Sequence, residues 1–195
     1  MFQLGQPVTA ELEVKKSRFI AWVGPVSDRK AAKEVLAMLR QQHPTAGHCC
    51  WALITEGDSG LDDDGEPAGT AAKPIYNVLT HKHLSSVLGV VIRYWGGVKL
   101  GAGGLTRAYG QAVSDALKLA EFVPIIQKVS LAGRVPFADE AAFRRLCGQH
   151  QVDVVETDYA TDVGFVIAMP LLNQAPFEQA ANDLLRGKWV SQPIE

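Results

Sequence analysis

Apolar and polar residues alternate along "AELEVKKSRFIAWVGPV" on both sides of Lys15-Lys16-Ser17, the period-two pattern of a β-hairpin. Ser27 is placed to cap the next helix, in which Ala32, Leu36 and Leu39 recur at helical spacing and which Pro44 ends. "CCWALI" reads as a short buried strand. After an acidic loop a helix begins near Pro74, a residue suited to the first helical turn. "SSVLGVVIRYW" is the strongest strand in the chain, rich in β-branched residues, and it feeds straight into a glycine-rich loop. A long amphipathic helix follows through "LTRAYGQAVSDALKLAE", with Leu105, Tyr109, Ala112, Ala116 and Leu119 on one face.

Pro124 ends that unit. "IIQKVSLAGRV" reads as a strand, "FADEAAFRRLCGQH" as a helix, "VDVVETDYA" and "VGFVIAMP" as paired strands, and "APFEQAANDLLRGK" as a closing helix. That β-α-β-β-α order, with "WVSQPI" adding a last strand, is the pattern of a split-βαβ, ferredoxin-like sandwich. The expected organisation is therefore α+β in two domains, 1–124 and 125–195, with the boundary near residues 122–126. There is no internal repeat, low-complexity tract or long linker.

Composition narrows the function classes. The 195 residues are 47% hydrophobic and 21% charged, ordinary for a globular protein and long enough for two small cores. A net charge of −2 predicts no general attraction to nucleic acid or acidic membranes, so an anionic partner needs a local basic patch. The three cysteines, Cys49, Cys50 and Cys147, form no spaced disulfide framework. With no secretory signal and no apolar run longer than Val87 to Ile92, the expectation is a soluble, cytoplasmic protein without membrane contact.

Two stretches carry candidate chemistry. The first, "SGLDDDGEPAGTAAKP", with the residues just before it, brings Glu56, Asp58, Asp62, Asp63, Asp64 and Glu66 close together with no Lys or Arg among them. A calcium loop starting at Asp62 would need Gly where Pro67 stands and Glu where Lys73 stands. Magnesium needs fewer protein ligands, but three adjacent carboxylates converge on one point only through an irregular backbone. The plainer reading has Asp64-Gly65 forming a turn and one carboxylate capping the next helix. His48 and Cys50 would share a strand face, as a nucleophile pair or as ordinary strand residues with a buried, inert thiol. No zinc-ligand spacing and no cofactor signature is present, and no metal site or catalytic residue is assigned.

The second stretch, "RYWGGVKLGAGGLTRAYG", places Gly96, Gly97, Gly101, Gly103 and Gly104 between a strand and a helix, where backbone amides cradle anions. It matches neither a Walker loop nor a dinucleotide fingerprint, because no Lys-Ser/Thr pair follows Gly101 and Thr106 stands where the last Gly belongs. Arg93, Lys99 and Arg107 flank the glycines with no acid between them, and Tyr94, Trp95 and Tyr109 supply aromatic faces. Glycine, cation and aromatic together suit nucleic-acid contacts. Tight strand–helix packing would also use the glycines, and the residues leave both readings open.

"DDDGEPAGTAAKPIYNVL" followed by "VVIRYWGGVKLGAGGLTRAYG" closely resembles the IMPACT family, and the whole chain is similar to its bacterial, YigZ-type members. "KKSRF" and "HPTAGHCCWA" extend the likeness; the second half carries no distinctive motif. The resemblance implies a first domain like the second domain of ribosomal protein S5 and a ferredoxin-like second domain similar to the last domain of elongation factor G. It also implies a non-catalytic nucleic-acid- or ribosome-associated binding protein in translation regulation or stress response. Eukaryotic relatives act through a further N-terminal domain absent from this sequence. On that basis Arg93, Lys99, Arg107 and the five glycines would bind RNA. Asp63, Asp64 and Glu66 would order the loops or, in an alternative metal-dependent hydrolase or phosphoryl-transfer enzyme, hold magnesium. A third alternative is a regulator binding another protein through the second domain.

Overall fold

Residues 1–194 are described by a computed structural model. The chain divides into two compact units, Met1–Ile125 and the segment from Ile126 onward. In the first, the strands are β1 (Phe2–Leu4), β2 (Val8–Val14), β3 (Ser17–Pro25), β4 (His48–Thr55), β5 (Asp58–Asp62), β6 (Val87–Tyr94) and β7 (Phe122–Pro124). The helices are α1 (Arg29–Gln42), α2 (Ala72–His81) and α3 (Gly101–Leu117). An antiparallel sheet runs in the order β2-β3-β6-β4-β5, and β1 pairs separately with β7.

The expected hairpin is β2–β3. Its turn is made by Lys15 and Lys16, both with positive φ (47° and 66°), as a primed turn requires even without glycine. β6 is the centre of the sheet and is buried on both faces, hence its nearly unbroken apolar run. On one face Phe19, Ala21 and Val91 pack with Ile75, Tyr109 and Val113 of α2 and α3. On the other, Leu53, Val90 and Ile92 meet Ala32 and Leu39 of α1.

Four local expectations change. The cap of α1 is Asp28, not Ser27: its backbone is extended and its carboxylate accepts the Ala31 N–H at 2.9 Å, placing a negative charge at the helix N-terminus. The acidic loop is shorter than expected, because Asp58–Asp62 pairs with β4 as an edge strand and Arg29 holds Asp58 by two hydrogen bonds of 2.8 and 2.6 Å. The glycine loop is also shorter: Gly101, Gly103 and Gly104 already belong to α3. The helix ends at Leu117, so Leu119 is 67% exposed and not on the buried face. Packing of Leu105, Ala108 and Tyr109 on the sheet outweighs the glycines' poor helix propensity.

The second unit comprises β8 (Lys128–Val135), α4 (Glu140–Gln149), β9 (Asp153–Tyr159), β10 (Val163–Pro170), α5 (Gln174–Leu184) and β11 (Ser191–Ile194). Its sheet order, β11-β8-β10-β9 with every neighbour antiparallel, is the split-βαβ, ferredoxin-like arrangement. Phe143, Phe165, Phe177 and Trp189 form the aromatic part of a separate core. The protein is thus α+β with two cores. No helix of the described residues is long and apolar enough to cross a membrane.

Candidate functional site

Strand register brings the two motifs together. On the central β6, Arg93 lies opposite Phe19 of β3 on one side and His48 of β4 on the other. Its guanidinium sits 5.5 Å from the centre of the Phe19 ring, and Nη1 donates to Glu66 Oε1 at 2.6 Å. The Tyr109 hydroxyl of α3 donates to the same oxygen at 2.8 Å. This pair is buried, with 7% of the Arg93 side chain and 3% of the Glu66 side chain exposed. Arg93 is therefore not the surface phosphate contact its position beside the glycines predicted; Glu66 has its charge.

The turn that delivers Glu66 is the expected one. Asp64 and Gly65 both have positive φ (43° and 85°), and the Glu66 N–H returns to the Asp63 carbonyl at 2.9 Å. Each acid before Glu66 has its own work in that turn. Asp63 accepts the amides of Gly69 (2.7 Å), Ala71 (3.1 Å) and Ala72 (2.8 Å), so it caps α2 from outside. Burial raises the Asp63 pKa, but the Gly69, Ala72 and Ala71 amides outweigh it and hold the carboxyl below its ordinary value. Asp64 accepts the Cys49 amide at 2.7 Å and pairs with Arg40 at 3.1 Å. These bonds point the carboxylates at amides and cations, and the described residues contain no cluster of three or more His, Cys, Asp or Glu arranged to hold a metal.

Cys50 Sγ lies 3.0 Å from the Asp63 carbonyl and 3.3 Å from the Tyr109 hydroxyl. Burial pushes its thiol up to about 12, so it stays protonated and is no nucleophile at neutral pH. The nucleophile pair with His48 therefore drops out. Burial also raises Cys49 and pushes Cys147 up to about 11.

Above this floor opens a cleft of about 490 Å³. Glu66 and Arg93 line it together with His48, Trp95, Lys99 and the first residues of α3, Gly101 and Ala102. Trp95 is 65% exposed. The cap residue of α3, Leu100, offers no side-chain hydrogen bond to the first amides, which leaves the positive end of the helix dipole for a ligand or water. Of the residues singled out in the sequence, Lys99, Gly101, Trp95 and His48 thus meet Arg93 and Glu66 here.

The others lie elsewhere. Gly96 packs against the hairpin turn, where a Cβ would overlap the Lys16 carbonyl and the Ser17 nitrogen; its own N–H donates to Ser17 Oγ at 3.1 Å. Gly97 supplies a positive φ of 81° in the connection. Gly103 borders neither this cleft nor the next. Gly104 and Arg107 line a second groove of about 510 Å³ with Leu12, Val14 and Lys15, separated from the first by Leu100. Sequence reasoning did not place His48 in the site. Its only local signal was the strand position two before Cys50; its neighbourhood with Arg93 comes from β4–β6 register.

A sheet covered by helices on both faces, a cleft floored by a buried ion pair and a ferredoxin-like second unit define a two-domain α+β protein. The Impact N-terminal domain family matches residues 15–117, and a domain of unknown function (DUF1949) matches 134–188. An IMPACT family member of Haemophilus influenzae is 34% identical over 193 residues, 96% of this chain and 94% of the relative. IMPACT family member YigZ of Escherichia coli is 35% identical over 194 residues, 97% of this chain and 95% of the relative. A crystal structure of "an hypothetical protein" superposes with a TM-score of 0.67 at 33% identity, covering 100% of this chain and 97% of that one. The chain belongs to the IMPACT family.

Proposed function

We propose that the protein binds single-stranded RNA through the cleft at the N-terminus of α3 and acts in a ribosome-associated, translation-related role. The observation that carries this reading is the meeting of three features in one cleft: the uncapped start of α3, Lys99, and the exposed Trp95. Helix amides and a lysine suit a phosphate, and an indole face suits a base without regard to sequence. A chain with a net charge of −2 attracts nucleic acid only through such a local patch. Arg107, across Leu100 in the second groove, provides the next phosphate contact along the strand. The family's resemblance to ribosome-associated proteins supports RNA over other phosphate-bearing ligands.

The test is single-stranded RNA affinity over a salt series. Lys99→Ala and Arg107→Ala should each weaken binding and flatten the log–log salt slope by about 0.7. Trp95→Ala should lower affinity by an amount equivalent to about 1–3 kcal/mol while leaving the slope unchanged, because it removes stacking and no charge. Unchanged affinity and slope in both cation variants would end the RNA reading.

A further inference from the structure

We propose that the cleft also cleaves the RNA it holds, with His48 as the general base that activates a ribose 2′-hydroxyl. This rests on the RNA-binding reading above. His48 Nδ1 lies 2.8 Å from the backbone carbonyl of Asp64. A carbonyl only accepts, so Nδ1 carries the proton and the neutral ring presents an unprotonated Nε2. The ring lines the cleft, and Nε2 lies 3.9 Å from Glu66 Oε1.

The turn that fixes this tautomer is itself tied down by hydrogen bonds and an ion pair. The Asp64 carbonyl belongs to the positive-φ turn, and the Asp64 side chain is tied to the Cys49 amide and to Arg40. Glu66 is held in turn by Arg93 and Tyr109. A base whose other ring nitrogen is anchored in this way is the arrangement by which enzymes orient a proton acceptor.

The step balances without a further reactant. The 2′-hydroxyl proton passes to His48 Nε2 as the 2′-oxygen bonds to the neighbouring phosphorus. The bond from phosphorus to the 5′-oxygen breaks, that oxygen takes a proton from water, and His48 returns its proton to the hydroxide so formed. The products are a 2′,3′-cyclic phosphate and a 5′-hydroxyl. The α3 amides and Lys99 face the charge that grows on the phosphoryl oxygens.

The experiment uses the full chain with an end-labelled single-stranded RNA and with DNA of the same sequence, measuring binding and cleavage separately. Wild type should cut the RNA to fragments ending in 2′,3′-cyclic phosphate and leave the DNA intact. With the RNA saturated by protein, His48→Ala should lose about 10²–10⁴-fold in cleavage rate, with partial recovery in added imidazole. His48→Asn, whose side-chain amide still donates to Asp64, serves as the variant that keeps the turn without a base. RNA bound but left intact by wild type overturns the catalytic proposal alone, as does undiminished cleavage by folded His48→Asn. Absence of RNA binding overturns it together with the binding reading.

Discussion

A carboxylate as buried as Glu66 persists only because its charge is met, and a single oxygen, Oε1, takes both the Arg93 and the Tyr109 hydrogen bond. Removing one member of the Arg93–Glu66 pair leaves the other's charge desolvated and without its counter-charge. Glu66→Gln and Arg93→Met should therefore each destabilise the protein by about 3–5 kcal/mol. The double variant should lose much less than the sum, because neither charge is then left unpaired. Denaturant unfolding of the four proteins gives the coupling directly. Additive losses would show that the pair is not what holds the cleft floor.

At the scale of elements, the site depends on how closely the β6–α3 connection approaches the β2–β3 turn. Gly96 allows that approach, since any Cβ would run into backbone, which cannot swing aside as a long side chain can. Gly97, one residue on, has open space around it and needs only its left-handed backbone. Because the overlap is with backbone, Gly96→Ala should thus cost about 3 kcal/mol or more from overpacking, against roughly 1–2 kcal/mol of backbone strain at Gly97→Ala. Thermal unfolding should show Gly96→Ala as the lower-melting variant and, because Trp95 precedes it, as the weaker RNA binder. The reverse order of melting would remove the close approach as the reason for the glycine pair.

For the whole molecule, each unit has its own apolar core, so the first should fold alone. The fragment must reach residue 125. β7 pairs with β1 over Phe122–Pro124, and the Ile125 N–H reaches the Met1 carbonyl at 3.0 Å, so ending at residue 122 strips the partner from the N-terminal strand. Residues 1–125 should show one cooperative unfolding transition in denaturant, and residues 1–122 a transition at lower denaturant. A broad, non-cooperative transition for 1–125 would mean that the first core needs the second.

Periodicity alone determined most of the elements, because burying one face of a strand or helix imposes a repeat that is written into the residues themselves. The β2–β3 hairpin, the apolar β6 and the β-α-β-β-α order after Pro124 were legible for that reason. The Asp64-Gly65 turn was legible too, since its backbone demand is local. The start of α3 was not: Gly101, Gly103 and Gly104 read as loop residues, and only the packing of Leu105 and Tyr109 on the sheet makes them helical. The roles of the charges were likewise settled in three dimensions. Arg93 reads as a surface cation beside glycines, yet register sets it between Phe19 and His48 and within reach of Glu66. His48 enters the cleft through the same register. A charge's partner lies wherever the chain returns in space, and neighbouring residues along the sequence carry no record of that distance.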